Sequence, residues 1–99
     1  MKRRVVVTGV GLVTPIGNDV PTTWNGLMNG ANGADYIKKF DTENFSVKFA
    51  CEVKDFDPLS FLDKKEARWM GAFTHFALAA SDEAMKHSGL VIDETNAEM

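Results

Sequence analysis

The chain has 99 residues, 44% of them hydrophobic and 25% charged, with a formal net charge of −3. Such a composition is ordinary for a soluble globular protein, and the acidic balance gives no overall attraction to nucleic acid. One cysteine and two histidines exclude a disulfide framework and a zinc module, and no stretch approaches the roughly 20 apolar residues of a membrane span.

The basic leader Met1-Lys2-Arg3-Arg4 followed by valines imitates a secretion signal. Thr8, Gly9 and Gly11 interrupt the apolar stretch, however, and no small-x-small cleavage site follows, so a cytoplasmic protein is expected. Val5 to Val7 is a short β-branched run of the kind that suits a strand covered on both faces, predicting a central strand of an α/β sheet. Gly9, Gly11 and Gly17 then allow backbone angles or close approaches that a side chain would block, and Pro15 holds Thr14 extended.

Asp19 is placed to cap a helix in which Val20, Trp24, Leu27 and Met28 form one apolar stripe, with Pro21 in its first turn and Asn29-Gly30 at its end. This helix is expected to cover one face of the sheet. A long loop follows through Asp41-Thr42-Glu43-Asn44, with Tyr36, Ile37 and Phe40 attached to the body. From Phe45 to Val53 the pattern alternates strictly, predicting a half-exposed strand whose apolar face carries Phe45, Val47, Phe49, Cys51 and Val53. Asp55 to Pro58 breaks it, and Leu59 to Leu62 makes a short turn or helix.

Asp63 followed by Glu66 resembles a capping box without the usual Ser or Thr, so a long helix is predicted to start there. Met70, Phe73, Ala77, Ala80 and Ala84 keep helical spacing, and the small residues along it permit a close neighbour. Lys86 and His87 suit the negative C-terminal end, which Gly89 closes. Leu90-Val91-Ile92 offers one more strand. These few elements cannot cover both faces of a valine-rich strand and protect both sheet edges, so further protein is expected around them.

Among residues able to carry chemistry, Gly9-Val10-Gly11 invites a dinucleotide-binding reading. That fingerprint would need glycine or alanine where Thr14-Pro15 stands, and the rival reading is that the glycines shape a tight strand exit. Cys51 lies mid-strand on an apolar face, without the helix terminus or base that would activate a thiol, and reads as buried filler. His75 and His87 show no carboxylate or cysteine partner. Lys64 and Lys65 stand in what should be the first turn of the long helix, where cations oppose the macrodipole, and spacings of three and four place Arg68 beside them on one face. They read either as a solvated charged turn or as a docking face for an acidic partner helix.

The run VVVTGVGLVTPIGN, the tryptophan-bearing helix after it and Lys64-Lys65-Glu66-Ala67-Arg68 together resemble the start of the β-ketoacyl-acyl carrier protein synthases, most closely the type II condensing enzymes of bacterial fatty-acid synthesis. The resemblance covers essentially the whole chain but only about the first quarter of such an enzyme, making residues 1–99 an incomplete N-terminal portion of a thiolase-like domain. It implies a layered αβαβα fold in a homodimer, and an acyltransferase that condenses malonyl-carrier with an acyl group held on an enzyme cysteine. No organic cofactor or metal is implied. The family's catalytic cysteine and histidines match nothing in this chain, so no catalytic role is carried over and the segment alone is expected to form no carbon–carbon bond. The family docks the acidic acyl carrier protein through a basic patch that Lys65 and Arg68 match, although Trp69 stands where the related pattern has a further lysine. A noncatalytic, synthase-like partner subunit and a nucleotide-binding α/β module remain as alternatives.

Overall fold

The computed structural model describes residues 2–97. Helix α1 (Val20–Met28), strands β1 (Ala34–Tyr36) and β2 (Phe49–Cys51), a single 3₁₀ turn (Pro58–Ser60), and helices α2 (Lys64–Arg68) and α3 (Ala72–Ser88) follow in order. The strands form one antiparallel pair with Ala34 opposite Cys51 and Tyr36 opposite Phe49.

The organising contact joins the opening segment to α3. A Cβ on Gly9 or Gly11 would collide with the backbone carbonyl oxygens of Ala84 and Ala80 respectively, so these two positions admit hydrogen only. The small side chains of α3 thus give the close approach that the sequence indicates, although its recipient is an extended segment rather than another helix. Glu83 secures the contact: one carboxylate oxygen accepts from the Leu12 N–H at 3.0 Å and the other from the Val20 N–H at 2.9 Å. One turn on, His87 Nδ1 accepts from the Val10 N–H at 3.1 Å.

Helix α1 begins as the sequence indicates, with the Asp19 side chain accepting from the Thr22 N–H at 2.8 Å. Thr22's backbone N–H, then its hydroxyl, hold the Asp19 carboxyl below its ordinary pKa. A lowered carboxylate favours the folded helix above the unfolded value of about 4, and this support fades as the pH falls through the folded value. The face that α1 turns inward differs from expectation. Thr23 is buried and its hydroxyl donates to the Gly17 carbonyl at 3.2 Å, while Trp24 and Leu27 are each 60% exposed. Polar bonding to the Thr14–Gly17 turn orients the helix, and Trp24, Leu27 and Met28 of its apolar stripe face outward while Val20 is half-buried.

Four further expectations change. Val5 to Val7 has no ladder partner among the described residues and is 69–92% exposed, because the antiparallel pair lies elsewhere. The alternating segment forms a strand only at Phe49–Cys51, and its partner, Ala34–Tyr36, comes from the stretch expected to be loop. Phe45, Val47 and Phe49 are all more than half exposed and Cys51 is exposed rather than buried, since no second layer covers this face. Leu90 to Ile92 is likewise unpaired and exposed.

Lys54 locks the pair to the opening turn, its ammonium donating to the carbonyls of Gly33 at 2.9 Å, Glu52 at 3.1 Å and Pro15 at 3.2 Å. Next to it, Asp55 takes φ 56°, a left-handed conformation that aspartate tolerates better than most residues, and the Asn18 amide donates to its carbonyl at 3.1 Å.

The accessible surface of 8420 Å² far exceeds the roughly 5,600 Å² expected of a folded monomer of this mass. The radius of gyration of 17.4 Å likewise exceeds the about 13 Å of a compact domain of this length. Ala79 is the one buried apolar residue among the described residues. Large apolar faces are thus open to solvent, more than a monomeric domain ordinarily exposes. Two outcomes are expected. The 99 residues expressed alone should bind a hydrophobic dye and unfold without a cooperative transition, where a sharp two-state melt would contradict the exposure described. In the assembled protein, Gly11→Ala should lower stability by about 2–3 kcal/mol through overpacking against α3, read from the denaturant midpoint.

Candidate functional site

The expected long helix is two helices. Asp63 caps α2, its side chain accepting from the Glu66 N–H at 2.7 Å, but the helix ends after five residues at Arg68. Gly71, with φ −75° and ψ 163°, is the extended N-cap from which α3 starts anew. A five-residue helix has too few internal hydrogen bonds to persist alone, and tertiary ties hold this one. A ring nitrogen, Nε2 of His75 on α3, lies 3.1 Å from the Ala67 carbonyl oxygen. Phe76 meets the ring of Phe56 edge-on at 5.0 Å, and Phe56 stacks on Phe61 at 5.9 Å, anchoring the chain just before α2. His75, without a visible role in the sequence, is therefore a residue that positions α2, and only its through-space partner reveals this.

The break alters the electrostatics expected of the basic residues. Because α2 is so short, Lys65 and Arg68 belong to its last turn, where cations complement the macrodipole. The dipole therefore favours Arg68, whereas Lys65, the second of the five residues, belongs to the first turn as well. What distinguishes them is their setting. Lys64, Lys65, Arg68 and Trp69 line a single open recess with no carboxylate in its wall. The ion pairs among the described residues are Lys38–Asp35 and Lys86–Asp82, so the three cations stand unpaired in a chain that is acidic overall. Trp69 is 83% exposed at the rim.

The remaining candidates are not gathered into a reactive group. A second, larger recess lies between the opening segment, α1 and α3, and most of its polar groups are engaged: Glu83 accepts two backbone bonds, Asp19 caps α1, Asp57 caps the 3₁₀ turn, His87 accepts from Val10 and Lys86 pairs with Asp82. Gly9 and Gly11 press on α3 instead of opening toward a phosphate, and the α1 N-terminus is met by the Glu83 carboxylate. That geometry opposes the dinucleotide reading. Among the described residues no three His, Cys, Asp or Glu side chains stand together as metal ligands, and no helix is long and apolar enough to cross a membrane.

The comparisons place these features. A family model described as "Beta-ketoacyl synthase, N-terminal domain" matches residues 2–98. The chain is 52% identical over 97 residues to 3-oxoacyl-[acyl-carrier-protein] synthase 2 of Synechocystis sp., covering 98% of this chain and 23% of that protein. It is 49% identical over 96 residues to the synthase of the same name from Staphylococcus aureus strain COL, again 23% of its length. Among solved structures, the ishigamide ketosynthase/chain length factor superposes with a TM-score of 0.80 at 38% identity, over 92% of this chain and 23% of that one. The chain thus spans about a quarter of the length of the relatives it matches, and its α/β architecture is that of the start of the thiolase-like ketosynthase fold.

Asp63→Ala should leave the Glu66 amide without its acceptor, at a cost of about 1 kcal/mol to α2. Hydrogen exchange of the Glu66 and Ala67 amides is then expected to speed up about fivefold while α3 is unaffected; unchanged exchange would show that the cap does not hold this helix.

Proposed function

This chain belongs to the β-ketoacyl synthase family, and from that membership we propose that it serves as the carrier-docking N-terminal part of a 3-oxoacyl-[acyl-carrier-protein] synthase. The observation that carries the proposal is the family match across residues 2–98, with about half the residues identical to synthases of that name, joined to an unpaired cationic recess on the surface. The reaction so assigned is decarboxylative condensation in fatty-acid elongation. An acyl group passes from the carrier's thioester to an enzyme cysteine. Malonyl-carrier then loses carbon dioxide, and the resulting carbanion attacks the acyl thioester, lengthening the chain by two carbons and freeing the cysteine thiolate.

Within that division of labour these residues contribute scaffold and recognition, not the nucleophile. Cys51 stands on an exposed strand face that the fold leaves for covering, and neither histidine faces it in a reactive pair. Lys65 and Arg68, with Lys64 beside them, would receive the carboxylates of an acyl carrier helix, drawing the carrier in by long-range attraction and fixing its orientation. We assign the working enzyme to the cytoplasm as a homodimer, in keeping with the soluble, reducing setting that the composition fits.

A second reading is a synthase-like subunit without a nucleophile of its own. Its support is that the superposed solved structure carries both designations, ketosynthase and chain length factor. Acylation of the purified complete protein by a radiolabelled acyl donor separates the two, since only an active synthase retains covalent label.

The docking assignment is tested by Lys65→Glu with Arg68→Glu in the complete synthase. Reversing two charges should weaken carrier binding about tenfold at 10 mM salt and less than twofold at 1 M, because the screening length shrinks from about 30 Å to about 3 Å. Equal affinity of variant and parent at low salt would dismiss the patch.

A further inference from the structure

We propose that Trp69 is an apolar anchor in the carrier-docking recess, so that the carrier is held by a salt-insensitive contact as well as by charge; this rests on the docking reading above. The indole is 83% exposed and lines the same recess as Lys64, Lys65 and Arg68. It is held in place by its backbone. Trp69 is the C-cap of α2, its N–H donates to the Glu66 carbonyl at 3.1 Å, and the next N–H, from Met70, donates to Ala67 at 3.4 Å. The aromatic pairs among the described residues involve only phenylalanines, so no other ring covers the indole. A large apolar ring carried at the end of a helix amid unpaired cations gains most from a partner that buries it while satisfying those cations. Such a ring covers 150–250 Å² when buried, at little conformational cost.

Charge complementarity selects the occupant. Three unpaired cations and no carboxylate line the recess, and an acidic carrier helix with an apolar side chain flanked by carboxylates meets both demands. A second copy of this chain does not, because two-fold pairing through this face would set each cationic patch against its like. The two kinds of contact respond differently to salt: ionic attraction between exposed groups is screened, whereas apolar burial persists.

The test is a titration of the complete synthase with holo acyl carrier protein at 10 mM and 1 M salt, using Trp69→Ala, Trp69→Phe, Trp69→Lys and the Lys65→Glu, Arg68→Glu pair. Trp69→Ala should weaken binding about tenfold at both salt concentrations and Trp69→Phe about twofold, with an unchanged salt slope. Trp69→Lys should bind near the parental level at low salt but fall about tenfold at high salt, trading the apolar contact for a screened one. Parental affinity of Trp69→Ala at both concentrations, with the charge-reversed pair weakened, would overturn the anchor and leave the docking reading standing. If Trp69→Ala lowers the melting temperature by several degrees and leaves carrier affinity intact, the indole is covered by the enzyme itself and the anchor is likewise overturned. Loss of any effect from the charge-reversed pair would remove the docking reading and the anchor together.

Discussion

The rest of the structure hangs on the seating of the opening segment against α3. Hydrogen atoms at Gly9 and Gly11 let the backbone touch the carbonyls of Ala84 and Ala80, and the Glu83 carboxylate then gathers the Leu12 and Val20 amides. One side chain therefore fixes both the path of the opening segment and the start of α1. These are charge-assisted bonds to backbone donors, stronger than neutral ones. With the opening turn fixed, Asn18 and Lys54 extend the same framework to the antiparallel pair through backbone carbonyls.

This framework is joined largely by polar bonds to the backbone, and apolar burial contributes little to it. Trp24 and Leu27 on α1, Val5 to Val7 on the opening segment and Phe49 on β2 stay more than half exposed. In a monomeric domain such surfaces would be a liability. The chain matches 23% of the length of its curated relatives. Local hydrogen bonding sets the path of the chain and leaves the main hydrophobic stabilisation to contacts with further protein.

Recognition depends on that framework at one remove. Helix α2 is too short to stand alone, and the contact of His75 with Ala67 joins it to α3, the helix that also receives the opening glycines. Three cations and an indole are thereby displayed along a short helix and its C-cap. The break at Gly71 matters here: it ends α2 at Arg68, so that this cation sits at the C-terminal end of a helix, where the dipole favours it.

Much of this is legible in the residues themselves. Asp19 and Asp63 as caps, Gly89 as a left-handed stop at φ 71°, small residues along α3 and the cluster at Lys64, Lys65 and Arg68 are local features, and local chemistry fixes them wherever the chain lies. The order of motifs across the chain also identifies the family. Other outcomes rest on partners far along the chain. Ala34–Tyr36 becomes a strand because β2 supplies acceptors and donors, Thr23 turns inward because the Gly17 carbonyl awaits it, and Val5 to Val7 stays unpaired because β1 and β2 pair with each other. Periodicity likewise marks Cys51 as apolar-faced but cannot say whether a layer lies over it. The sequence by itself determined caps, stops, charge clusters and family; only the tertiary structure decided which faces are covered and where the long helix breaks, because burial and strand pairing depend on residues distant in the chain.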